Sequence, residues 1–108
     1  MIATAKQAPP ALSSAQRRRL RGLAHGLTPI VQVGQQGVTP AVLSAVAQAL
    51  LDHELIKVRL REPEDKHGMS TALAEGTQST LCGLVGHTVI LYKPHPERPQ
   101  LRPWDPTP

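Results

Sequence analysis

Prolines set the outer limits of what this chain can fold. Six of its eleven prolines fall in the last 15 residues, from Pro94 to Pro108, and Pro9-Pro10 close a polar, small-residue start. Proline donates no N–H and holds φ near −65°, so neither stretch suits a helix interior or a central strand. The expected organisation is therefore a disordered segment at 1–11, one domain at 12–95 and a proline-rich flexible tail at 96–108. A domain of about 80 residues buries roughly 60–65% of its unfolded surface, so its core is small. With one Trp, one Tyr and no Phe, that core must come from Leu, Val, Ile and Ala.

Cys82 is the one cysteine, which excludes an intramolecular disulfide framework and a cysteine zinc cluster. A reducing, cytoplasmic setting fits. No apolar run approaches the 18 residues of a membrane span, and the N-terminus lacks the apolar core of a secretory signal. Its Ala-, Ser- and Arg-containing, acid-free start is compatible with an organelle-targeting peptide. The net charge of +4 is unevenly placed. Residues 1–51 hold five bases and no acid, whereas residues 52–108 hold seven bases and eight acids. A basic N-terminal half suggests a polyanion partner; the alternative is charge that serves solubility.

Ser13 and Gln16 have the spacing of a capping box, which predicts a helix from about Ser14. Leu20, Leu23, Ala24 and Leu27 follow at i, i+3, i+4 and i+7, and Gly26 can end the helix. Arg17, Arg18, Arg21 and His25 are linked by steps of three or four, so they form one acid-free stripe off the leucine face. Pro29 to Val33 reads as a short buried strand. It runs into Gly34-Gln35-Gln36-Gly37 and then Thr39-Pro40, an N-cap followed by proline at the first helical position. The next helix, to about Asp52, is the central apolar element.

Leu55 to Arg61 alternates strictly. Ile56, Val58 and Leu60 share one face; Lys57, Arg59 and Arg61 share the other. Such a cationic face fits either an edge strand carrying protective charge or a binding surface. Met69 to about Gln78 reads as a third helix, weakened by Gly68 and Gly76. Leu81–Val85, Gly86-His87 and Thr88–Lys93 read as a hairpin. The order helix, strand, helix, strand, helix, strand, strand implies an α/β sandwich with a four-stranded mixed sheet.

The strand–Gly34-Gln35-Gln36-Gly37–helix segment allows a tight turn, close backbone approach and free N–H groups at a positive helix end. Those features suit a phosphate, and a GxxG loop that clamps a nucleic-acid backbone is the device of KH domains. Neither a third glycine nor a Gly-Lys-Ser/Thr is present, so this is no dinucleotide fingerprint and no P-loop. The five histidines lack ligand spacing and no serine sits in a nucleophile elbow, so no metal, cofactor or catalytic residue is assigned. Cys82 reads as packed.

Taken together, Arg19-Leu20-Arg21-Gly22-Leu23-Ala24-His25, Pro29 to Gly37, His53-Glu54-Leu55-Ile56-Lys57-Val58, and Val85-Gly86-His87 through Lys93-Pro94 resemble the YhbY-type CRM (chloroplast RNA splicing and ribosome maturation) domain. The resemblance covers roughly residues 12 to 95. It implies a compact α-β-α-β-α-β-β fold similar to the C-terminal domain of translation initiation factor three. It also implies RNA binding without catalysis, on precursors of the large ribosomal subunit. The implied RNA surface comprises Gly34, Gln35, Gln36 and Gly37, then Arg17, Arg18 and Arg21 of the first helix, Lys57 and Arg59 of the second strand, and Lys93. This chain departs from many relatives in carrying Gln35 and Gln36, not a cation, within the loop. It also has His87 where lysine is frequent in the hairpin turn. The expected partner is large-subunit ribosomal RNA or its precursor particle, bound by a monomer, with no membrane involved. The alternative is a module that docks on an acidic ribosomal or RNA-processing protein.

Overall fold

A computed structural model describes residues 11–101. The first ten residues and the last seven of the expected tail lie outside that range. The elements are α1 (Ser14–Ala24), β1 (Val31–Val33), α2 (Pro40–His53), β2 (Leu55–Leu60), α3 (Lys66–Thr77), β3 (Thr80–Val85) and β4 (Thr88–Tyr92). The strand order is β1-β2-β4-β3. β1 runs parallel to β2; the other two pairs are antiparallel, giving the expected four-stranded mixed sheet.

The sheet is covered unequally. On one face α2 and α3 bury the larger core, with Val46, Leu50 and Leu73 against Ile56, Val58, Leu60, Val89 and Leu91. On the other face α1 stands alone, and Leu20 and Ala24 pack on Leu55, Cys82, Ile90 and Tyr92. Period-two alternation in β2 and β4 feeds both cores. Val89 and Leu91 join the first, Ile90 and Tyr92 the second.

Caps place the helices. Ser13 and Gln16 form the reciprocal capping box of α1, and the Thr39 hydroxyl accepts from the Val42 N–H, with Pro40 at the first turn of α2. α3 starts at Lys66, three residues before the expected Met69, because Asp65 caps it by accepting from the Gly68 N–H at 3.0 Å. The two glycines that argued against this helix are packing sites. A β-carbon on Gly68 would collide with the Asp65 carboxylate, and one on Gly76 would lie 2.7 Å from a Leu43 methyl of α2.

Two expectations for the apolar pattern are corrected. Leu23 and Leu27 are 48% and 41% exposed, because α1 turns only Leu20 and Ala24 onto the sheet and ends before Leu27. β1 spans Val31–Val33 rather than starting at Pro29, and it is an edge strand, not a buried one. It has one neighbour, only Val33 is buried, and Ile30 is 49% exposed.

The chain beyond β4 is tied to the domain as far as the structure describes it. The buried Glu54 carboxylate accepts from the N–H groups of His95 (2.6 Å), Gln100 (2.8 Å) and Leu101 (2.8 Å). Tyr92 donates its hydroxyl to the Leu101 carbonyl at 3.4 Å.

Candidate functional site

β2 lies between β1 and β4, so its cations do not guard a sheet edge. Lys57 and Arg59 emerge on the face that α1 covers only in part. Arg18, Arg21 and His25 line with them an open groove of about 900 Å³, to which β4 contributes Thr88. Among the described residues no carboxylate lines it. The helix stripe and the strand stripe, separate in sequence, form one cationic surface.

The members differ in how they are held. Lys57 Nζ donates to the carbonyls of His25 (3.3 Å) and Leu27 (3.0 Å), so its charge caps the negative end of α1. Arg21 donates to the Cys82 carbonyl at 2.7 Å. Its stem passes directly over Gly83, where a β-carbon would sit 2.6 Å from Arg21 Cδ. The β3 register shifts between Leu81 and Gly83, which gives Cys82 the extra position of a bulge. Arg18 and Arg59 are exposed, and their side chains have no hydrogen-bond partner among the described residues.

Two expected members lie elsewhere. Arg17 donates to the Leu12 carbonyl at 2.8 Å and to the Ser14 hydroxyl at 3.5 Å, at the start of α1, and does not line the groove. Lys93 donates to the Thr77 carbonyl at 3.0 Å and so ties the end of β4 to the end of α3. Lys93 follows Tyr92, which pairs with Leu55. The Gly34–Gly37 loop follows Val33, which pairs with Leu60 at the other end of β2.

That loop lines a second hollow of about 530 Å³ with Arg61, Glu62, Glu64, Asp65 and Met69. Gly37 has φ +76°, and its N–H closes the turn on the Gly34 carbonyl at 3.1 Å. The Gln35 and Gln36 N–H groups have no partner among the described residues. Arg59 pairs in register with Gln32, and the Arg61 N–H donates to the Val33 carbonyl at 3.0 Å, so the groove leads toward the loop. The three acids make the hollow electrostatically unlike the groove.

Burial pushes the Cys82 thiol up to about 11, against the opposing pull of Arg21 and Arg17. Burial, and then the Glu54 carboxylate, push the Tyr92 phenol up to about 12. Among the described residues no group of three or more His, Cys, Asp or Glu is placed to hold a metal ion. None of their helices is long and apolar enough to cross a membrane.

The family described as the CRS1 / YhbY (CRM) domain matches residues 12–93. The chain belongs to this family. Among CRM relatives, "Probable RNA-binding protein YqeI" of Bacillus subtilis is 42% identical over 92 residues, covering 83% of this chain and 96% of the relative. An "RNA-binding protein" of Haemophilus influenzae is 39% identical over 88 residues, covering 80% and 89%. The solution structure of SAV1595 from Staphylococcus aureus, a candidate RNA binding protein, superposes with a TM-score of 0.70 at 33% identity, covering 77% of this chain and 88% of that one. The CRM fold expected from the sequence is the fold observed.

Sequence reasoning gave no role to Glu54, which it quoted only within the His53 to Val58 motif, or to Gly83. The signal for Glu54 was an acid set between two apolar elements. The signal for Gly83 was a glycine inside a strand, which marks a bulge or a close approach.

Proposed function

We propose that this protein is an RNA-binding module that acts in the cytoplasm, as a monomer, in assembly of the large ribosomal subunit. The carrying observation is the groove. Arginines from α1 and β2, with Lys57, line one channel that holds no acid among the described residues, on an interior strand where edge protection needs no charge. Relatives that span nearly their whole length with this chain are named as RNA-binding proteins.

In this reading the groove neutralises successive phosphates. The strand of RNA continues past Arg59 and Arg61 to the Gly34–Gly37 loop, where the Gln35 and Gln36 N–H groups take a phosphate oxygen. Tyr92, the one Phe, Tyr or Trp among the described residues, is buried and offers no stacking face there. Recognition then rests on phosphate, sugar and shape.

Arg18 and Arg59 are the clean test residues, since Arg21 is also a structural tie to Cys82. Gly34→Leu tests the loop, because its position has neither a positive φ nor an atom within 4 Å of an added β-carbon. The expected outcome is weaker RNA binding with an unchanged thermal midpoint. Unchanged binding with an intact fold removes the loop from the site. In sucrose gradients of lysate, salt- and RNase-sensitive co-sedimentation with large-subunit precursors supports the assembly role. Recovery at the top of the gradient at low salt contradicts it, and RNase-resistant co-sedimentation points to a protein partner.

A further inference from the structure

Gly22 sits in the last turn of α1, where glycine weakens a helix relative to alanine. Nothing among the described residues asks for it. Its φ is not in the left-handed region, and an added β-carbon meets no atom within 4 Å. Gly76 and Gly83, by contrast, each make way for a neighbouring side chain. Gly22 is exposed on the wall of the cationic groove, beside Arg18, Arg21 and His25. Its missing side chain therefore leaves room for a group from outside the molecule.

The chemistry of that spot narrows what the group is. The end of α1 carries the negative pole of the helix, and its carbonyls, even that of Ala24, which accepts from the Leu27 N–H at 2.9 Å, keep a lone pair for a further donor. The His25 N–H reaches the Gly22 carbonyl at 3.2 Å, and Lys57 holds the carbonyls of His25 and Leu27. A phosphate is repelled by helix carbonyls, whereas a hydroxyl can donate to them. Arg18 and Arg59, uncommitted among the described residues, stand on the flanks for the phosphates. A backbone that offers donor hydroxyls between phosphates is that of RNA, through its 2′-OH.

Building on the RNA-binding reading above, we propose that Gly22 is where a ribose of bound RNA rests on the main chain of α1. Its 2′-hydroxyl donates to a last-turn carbonyl, and the groove thereby separates RNA from DNA. The test uses the full chain, with a labelled random-sequence RNA and a DNA of matching sequence and length as probes.

Wild type should bind the RNA more tightly. Gly22→Ala should melt at the same or a higher temperature, bind RNA roughly fivefold to tenfold more weakly, and bind DNA as before. Gly22→Leu should weaken RNA binding further. Unchanged RNA affinity, equal losses on RNA and DNA, or a lowered melting temperature in Gly22→Ala each overturn the proposal. Arg18→Ala and Arg59→Ala separate the two levels. If they weaken RNA binding while Gly22→Ala does not, only the ribose contact is wrong. If they too leave RNA binding unchanged, the groove reading falls with it.

Discussion

Glu54 and Cys82 show how a single side chain is committed. Glu54 is 3% exposed and has φ +65°, a region that non-glycine residues enter only when their surroundings hold them there. Its carboxylate is the common acceptor for three backbone N–H groups of the segment after β4. Glu54→Gln keeps the shape but turns one acceptor into a donor facing N–H groups. Hydrogen bonds to a charged group are worth about 1.5–3 kcal/mol, so this variant should lose roughly 2 kcal/mol in urea unfolding. The amides of His95, Gln100 and Leu101 should also lose hydrogen-exchange protection; retained protection would show that the segment is held by other means. Cys82 and Tyr92 are acids whose folded values, about 11 and about 12, lie above the ordinary 9.0 and 10.0. Above pH 9 the folded protein therefore keeps protons that the unfolded chain has released. Their effect on stability is absent below pH 9, and stability falls as pH rises from there through about 12. Urea midpoints measured from pH 8 to 11 should drop, and less steeply in Cys82→Ala. At neutral pH the native thiol should resist alkylation that proceeds readily once the chain is unfolded.

At the scale of the element, α3 is where local and tertiary demands meet. Asp65 can cap it only because Gly68 leaves room for the carboxylate, so cap and glycine act as one device. Asp65→Ala should cost about 1 kcal/mol. Gly68→Ala should cost a similar amount despite alanine's better helix propensity, because its methyl displaces the capping oxygen. The double variant should cost clearly less than the sum, and simple additivity would show that the two are independent. This device also explains how much of the fold was legible. Periodicity and capping patterns placed α1, α2, β2 and the hairpin, because each of those signals is local. Propensity counted Gly68 and Gly76 against α3, because the reason for each glycine is a side chain seen only after folding. Leu23 and Leu27 failed for a related cause: a 3.6-residue period marks a face but not its width, and α1 is covered on one narrow strip. The site was legible by the same rule. The stripe of Arg18 and Arg21 and that of Lys57 and Arg59 could be read separately. That they share one groove, that β2 is interior, and that Arg17 and Lys93 lie outside that groove all depend on how the elements pack in three dimensions.

Across the whole molecule, an imbalance along the sequence becomes an imbalance between surfaces. The acid-free first half contributes Arg18 and Arg21 to the groove, and β2 adds Lys57 and Arg59. The acids that follow β2, at Glu62, Glu64 and Asp65, border the loop hollow instead. On the proposed reading, an RNA drawn by long-range attraction should meet the α1 face first, with the loop as a backbone contact rather than a source of attraction. Arg18, Arg21, Lys57 and Arg59 all line the groove, so up to four cations there can meet phosphates. Each phosphate contact contributes about 0.7 to the salt slope for single strands and about 0.9 for duplexes, which gives a slope of about −3 to −4 for log K against log salt. Raising salt from roughly 0.05 to 0.2 M should then weaken binding about 50–150-fold. Replacing Arg18 and Arg59 together by alanine should remove about two contacts, lowering the slope by roughly 1.5–2 without shifting the thermal midpoint. The same change at Arg17 and Lys93 should lower stability while the slope changes little, since both lie away from the groove. If the second pair lowers the slope as much as the first, the RNA path crosses the ends of the domain rather than the channel between α1 and β2.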